Sequence, residues 1–186
     1  MNLRSLVQLD ARLSQSVRVS EKPGIIRTLS AVLAHSGDSW FWGLGLLLVW
    51  LLGETSWKRW AAVEFLGIAG LAALVMLTKF TVRRRRPEGE WGTIYRSADP
   101  HSFPSGHAAR SFLIAVIATA LAPTWLAAIL WVWAPLVALA RVVMGLHYVS
   151  DVAAGIMIGV IAGFIWLAVE QPLAALIAAR FQVSPW

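Results

Sequence analysis

Three groups of residues in this 186-residue chain have types and spacing suited to chemistry on a tetrahedral anion. Lys79 is followed, after six residues, by Arg86-Pro87; Pro104-Ser105-Gly106-His107 comes next; Arg141 is followed after five residues by His147, and His147 after three by Asp151. Arg offers a planar fork of donors that fits phosphate oxygens, and Lys adds a point charge. Ser105 and Gly106, at a helix start, present free backbone N–H groups, and Gly allows an anion to approach closely. Lys79, Arg86, Ser105, Gly106 and Arg141 are therefore the expected phosphate-binding set, able to stabilise charge on the equatorial oxygens of a phosphoryl-transfer transition state. His147 and Asp151 stand at i, i+4, so the carboxylate can hold one ring nitrogen and leave the other to attack. The expected catalytic set is His147 as nucleophile, Asp151 as its orienter, and His107 to protonate the departing oxygen and then activate water.

The elements that must position these groups are set by composition. Hydrophobic residues make up 58% of the chain and charged residues only 14%, with eleven Trp and a mean hydropathy of +0.66. A soluble domain carries about a quarter charged residues, so disorder and a water-soluble enzyme are both disfavoured and the bilayer is the expected solvent. The absence of cysteine removes disulfides, thiolate catalysis and Cys-based metal sites. The charged residues of the first 24 positions argue against a cleavable signal peptide. Leu3, Leu6, Val7, Leu9, Leu13 and Val17 share one side of a helical projection and Arg4, Gln8, Arg12, Gln15 and Arg18 the other. An amphipathic helix lying in the membrane interface and ended by Pro23-Gly24 is expected, with a helix packed on the protein as the alternative.

Candidate spans run from about 29 to 52 and about 60 to 80, then through the uncharged stretch 111–140, divided in two at Ala122-Pro123-Thr124, and from about 150 to 169. A kink is expected at Pro135, and the apolar tail after Pro172 is expected to return to the interface. The fold class is thus all-α: an integral membrane helical bundle of five to six transmembrane helices with an N-terminal interfacial helix. Residues 1–24 form that helix and 25–186 the transmembrane domain. Alternating crossings put Lys79/Arg86, His107 and Arg141/His147/Asp151 on one side of the membrane, although they lie up to 72 positions apart.

These motifs together resemble the type 2 phosphatidic acid phosphatase family of integral membrane lipid phosphatases. Its pattern of Lys, six residues, Arg-Pro; Pro-Ser-Gly-His; and Ser-Arg, five residues, His, three residues, Asp is matched here, except that Ala140 replaces the Ser before Arg141. The resemblance spans roughly Lys79 to Asp151. It implies hydrolysis of a lipid phosphate or diphosphate through a phosphohistidine, with no metal and no cofactor. Polyprenyl diphosphate, such as undecaprenyl diphosphate, is the first expected substrate, with phosphatidate or phosphatidylglycerophosphate next. The expected partners are this lipid substrate and membrane lipids, not nucleic acid. Alternatives are a haloperoxidase-like vanadate site, which the apolar spans disfavour, and a transporter or voltage sensor, which gives no task to Pro-Ser-Gly-His.

Other residues have plainer readings. Arg83, Arg84 and Arg85 read as a topology signal at a membrane border. Arg110 either touches substrate phosphate or pairs with Asp99. His35 and Asp38 read as a satisfied pair at a helix start, with a polar contact near the site mouth as the alternative, His101 as a solvated loop residue, and Glu64 as facing protein or lying near the opposite interface. Gly155, Gly159 and Gly163 read as close helix packing. The basic residues, Arg96 among them, place the active side in the cytoplasm by the positive-inside rule. The family resemblance favours the external face of a prokaryotic inner membrane, and that is the face expected.

Overall fold

A computed structural model describes residues 3–19, 24–88 and 99–181. Pro23 and Arg96 lie outside the described residues. Among those described there are seven α-helices: α1 (Leu3–Ser16), α2 (Ile25–Ser36), α3 (Ser39–Leu52), α4 (Thr55–Val82), α5 (Gly106–Leu121), α6 (Thr124–Val143) and α7 (Val149–Phe181). The chain is thus an all-helical membrane bundle. Helices α4, α6 and α7 are each long and apolar enough to cross a bilayer.

The centre of the bundle is α5, whose residues Ala108 to Ala118 are all buried. Its sequence, apolar on all sides beyond Arg110 and Ser111, suits a helix covered by neighbours, here α4, α6 and α7. The closest approach is to α7, where three glycines spaced by four stand against α5 and its N-cap. A Cβ at Gly155 would meet the Ser105 carbonyl, one at Gly159 the Ala109 carbonyl, and one at Gly163 the side chain of Val116. Removing those Cβ atoms lets the helices carrying the second and third motifs touch, as close packing of small residues allows. Glu64 is fully buried in the protein interior.

Three features depart from the sequence expectation. The first candidate span is two helices, α2 and α3, because Gly37 ends one and Asp38, in extended conformation, begins the other. With 14 residues, α3 reaches only about 21 Å, short of the ~30 Å hydrocarbon core. Helix α7 runs unbroken through Pro172, so the tail continues the last helix rather than turning back. Helix α1 stops at Ser16, ahead of Pro23-Gly24. The division at Ala122-Pro123 is found as expected: Pro disfavours helical geometry in the residue before it, and Ala122 is extended.

Helix α1 presents its apolar side outward, with Leu6, Val7, Leu9, Leu13 and Val17 all exposed. The side chains that meet the bundle are polar. Ser14 Oγ accepts from Val149 N at 3.0 Å, and Asp10 Oδ1 accepts from Ser150 N at 3.0 Å. These are two of the backbone N–H groups that a helix leaves unsatisfied at its start, so α1 caps α7 from another part of the chain.

Candidate active site

All three motifs meet at one cavity of about 510 Å³, lined at its polar end by Lys79, Arg86, Gly106, His107, Arg141 and His147. Its opposite wall is apolar and runs along α4 through Ile68, Leu71, Val75 and Met76. Ser105 and Asp151 do not line the cavity; both are fully buried. Ser105 caps α5 through its hydroxyl, which accepts from Ala108 N, and its own N–H donates to the Asp151 carbonyl at 2.9 Å.

His147 sits in the short connection between α6 and α7. Its Nδ1 donates to the Ser102 carbonyl at 2.7 Å, which fixes the tautomer and leaves Nε2 unprotonated. Nε2 in turn accepts from Arg86 Nη1 at 3.2 Å. Asp151 Oδ2 lies 3.7 Å from Nδ1, too far for a hydrogen bond. The i, i+4 spacing does not bring them closer because α7 starts only at Val149, so His147 is outside the helix. The carboxylate of Asp151 accepts instead from Tyr148 N at 2.9 Å and from Arg84 Nη1 at 2.7 Å. Burial pushes the imidazole down to about 3; the nearby Asp151 opposes this, while Arg141, Arg86 and Lys79 add to it. His147 is therefore a neutral base at physiological pH, with its lone pair among cations.

His107, in the first turn of α5, has a different partner. Its Nε2 donates to Asp38 Oδ1 at 2.7 Å, and His35 Nδ1 donates to Asp38 Oδ2 at 3.1 Å. Burial raises the Asp38 carboxyl, but the bonds from His107 and His35 outweigh it and hold the group down at about 2. Arg110 does not pair with Asp99. Its Nε donates to the Gly37 carbonyl at 2.8 Å, Nη2 donates to the same oxygen, and Nη1 donates to Ser39 Oγ. The sequence signal for Asp38 was only its local pairing with His35; nothing linked it to a residue 69 positions on.

The cation cradle holds an acidic side chain. Asp99 Oδ2 accepts from Lys79 Nζ and, at 2.8 Å, from Arg86 Nη2. Lys79 also donates to the His101 carbonyl at 3.0 Å, and Arg86 Nε to the Asp99 carbonyl at 2.8 Å. His101 is partly buried rather than solvated, its ring edge-on to Phe80 and its backbone bridged to Arg85. Arg141 is buried against the cavity.

Arg84 is more than a border charge. While Arg83 and Arg85 are exposed, Arg84 donates to Asp151 Oδ1, to Ser150 Oγ at 2.7 Å and to Asp10 Oδ2 at 2.6 Å, and stacks 4.0 Å over the Tyr148 ring. Burial of Asp10 is outweighed by its bonds from Ser150 and Arg84, which hold its carboxyl below the usual range. Arg83 makes this possible by taking a left-handed conformation (φ 53°) that ends α4 and turns the chain. No spacing rule picks Arg84 out of four consecutive arginines.

Comparison with known proteins gives a consistent result. The model of the PAP2 superfamily matches residues 60–174. A decaprenylphosphoryl-5-phosphoribose phosphatase of Mycobacterium tuberculosis is 32% identical over 151 residues, covering 78% of this chain and 80% of that protein. A probable lipid phosphate phosphatase beta of Arabidopsis thaliana is 27% identical, covering 84% of this chain and 86% of that protein. The crystal structure of a transmembrane PAP2-type phosphatidylglycerolphosphate phosphatase from Bacillus subtilis superposes with a TM-score of 0.68 at 22% identity, covering 90% of this chain and 87% of that one. That of Aquifex aeolicus LpxE gives 0.67 at 24% identity, covering 86% and 95%. The lipid phosphatases among these relatives place the chain with hydrolases of phosphate esters. The chain belongs to the PAP2 superfamily and is an integral membrane lipid phosphatase.

Proposed function

We propose that the chain removes a phosphate from a polyprenyl-linked lipid by way of a phosphohistidine on His147. The observation that carries this reading is the cavity itself, with cations and two imidazoles at one end and an apolar wall along α4 at the other. A phosphate fits the first and an isoprenoid chain the second. Undecaprenyl diphosphate is the first substrate to test. The M. tuberculosis relative, named for a phosphoribose borne on a decaprenyl phosphate, supports a phosphosugar ester as a second.

In the first step Nε2 of His147 attacks phosphorus while Lys79, Arg86, Arg141 and the N–H groups at the start of α5 hold the oxygens. The N–P bond forms as the P–O bond to the leaving group breaks, and the departing oxygen takes a proton from His107. In the second step water gives a proton back to His107, its oxygen bonds phosphorus, the N–P bond breaks and inorganic phosphate leaves. No step calls on a metal or a cofactor. Residues 1–24 act as an interfacial segment with the apolar side of α1 in lipid, and residues 25–186 as the phosphatase domain. The active face is assigned to the outside of a prokaryotic inner membrane.

The deciding experiment is phosphate release by the purified full chain in detergent. The panel is undecaprenyl diphosphate, a decaprenylphosphoryl phosphoribose, phosphatidate and phosphatidylglycerophosphate. The highest kcat/KM is expected on a polyprenyl substrate, and a preference for diacylglycerol lipids would overturn that choice. Acid-labile, base-stable radiolabel trapped on the protein from a 32P substrate is expected, and its loss in His147→Ala identifies the nucleophile.

A further inference from the structure

The short turn between α2 and α3 belongs to none of the three motifs, yet it is built around His107. Asp38 occupies the N-cap position of α3, where an Asp side chain ordinarily accepts from its own helix's N–H groups. Here it makes no such bond. Both oxygens are turned away from α3, one to His107 Nε2 and the other to His35 Nδ1. Arg110, one turn beyond His107 on α5, clamps the Gly37 carbonyl and Ser39, the residues on either side of Asp38. Gly37 itself leaves room for the ring, since a Cβ there would stand 3.3 Å from His107 Cδ2. Three separate contacts thus fix one carboxylate on one imidazole, and the helix forgoes its own side-chain cap.

We infer that Asp38 is the positioning residue of the proton donor: it holds His107 by Nε2–H, aims Nδ1 at the leaving-group oxygen, and supplies the negative charge that the ring needs when it carries two protons. In the first step the Nδ1 proton passes to the departing oxygen, the Nε2 proton stays between His107 and Asp38, and the ring becomes neutral. Water returns the proton to Nδ1 in the second step. This inference rests on the phosphoryl-transfer reading above and adds a residue from a fourth segment of the chain. Asp38 does not touch the phosphate in this role; it acts through the ring.

The test uses two esters with the same dodecyl tail in the full-length protein. Dodecyl phosphate has a leaving alkoxide that must be protonated, whereas a dodecyl-substituted nitrophenyl phosphate has one that departs as the anion. Asp38→Asn keeps the size of the side chain and an acceptor oxygen but removes the charge. Its kcat on dodecyl phosphate is expected to fall about 100-fold, within the range for general acid catalysis, with KM little changed and the nitrophenyl ester nearly unaffected. In a His107→Ala background the same substitution is expected to add almost nothing, because the two residues act as one unit. Equal losses on both esters, or losses that multiply in the double variant, would overturn the proposal. Failure of the wild-type protein to release phosphate from either ester would instead refute the phosphatase reading beneath it. A measurement on the unmodified protein stands apart from any folding defect: 15N NMR of labelled histidine is expected to show a proton on His107 Nε2, and a bare Nε2 would rule the arrangement out.

Discussion

His147 hangs from a connecting loop and is held by a neutral carbonyl, while His107 is built into a helix's first turn and is held by a carboxylate. In the phosphohistidine mechanism proposed above, the same side chain is thereby prepared for opposite tasks. A carbonyl fixes the tautomer of His147 without adding charge, and burial, reinforced by the surrounding cations, keeps its other nitrogen unprotonated, the form a nucleophile needs. The carboxylate on His107 compensates a positive ring, the form a proton donor needs. In this pair the partner of the ring, more than the ring's place beside the phosphate cradle, separates the two roles.

The contrast can be broken most severely at the nucleophile. His147→Ala is expected to lower kcat by on the order of 10⁴-fold or more on every substrate, read as phosphate release. His107→Ala should cost about 10²–10⁴-fold on alkyl phosphates and far less on a nitrophenyl ester, so a uniform loss across leaving groups would erase the distinction between the rings. Arg84→Ala takes the strut from behind Asp151; kcat is expected to fall about 10- to 100-fold with KM little changed, since a small misplacement of the loop misaligns Nε2. Gly159→Ala forces a methyl group onto the Ala109 carbonyl and should lower thermal stability in detergent by about 1–3 kcal/mol while separating α5, which carries His107, from α7, whose start follows His147. The mildest probe is titration. His147 should remain neutral from pH 7 downward and take up its proton only near pH 3, whereas Arg141→Gln, by removing a cation, should move that midpoint upward. Because the folded value lies below that of the unfolded chain, His147 also costs stability progressively as pH falls from about 6.5 toward 3.

The sequence made the cradle and both histidines legible because their spacing is fixed by local geometry: a helix end, a helix start, a short loop. Counting crossings was enough to bring them to one side. Asp38, Arg84 and Asp10 were not legible, because each acts across long separations on a partner that no periodicity names. Asp151 was recognised, but its contact was not, since the register of α7 relative to His147 depends on where that helix begins. The broken first span had a visible cause in Gly37-Asp38, yet its purpose appears only with His107 beside it.

The cap that Asp10 and Ser14 place on α7 has a consequence for biosynthesis. In a chain made from its amino end, α1 exists well before the start of α7, some 140 positions later, so the two can meet only once that late segment has been made. Until that docking, the first N–H groups of α7, those of Val149 and Ser150, lack the acceptors that Ser14 and Asp10 supply.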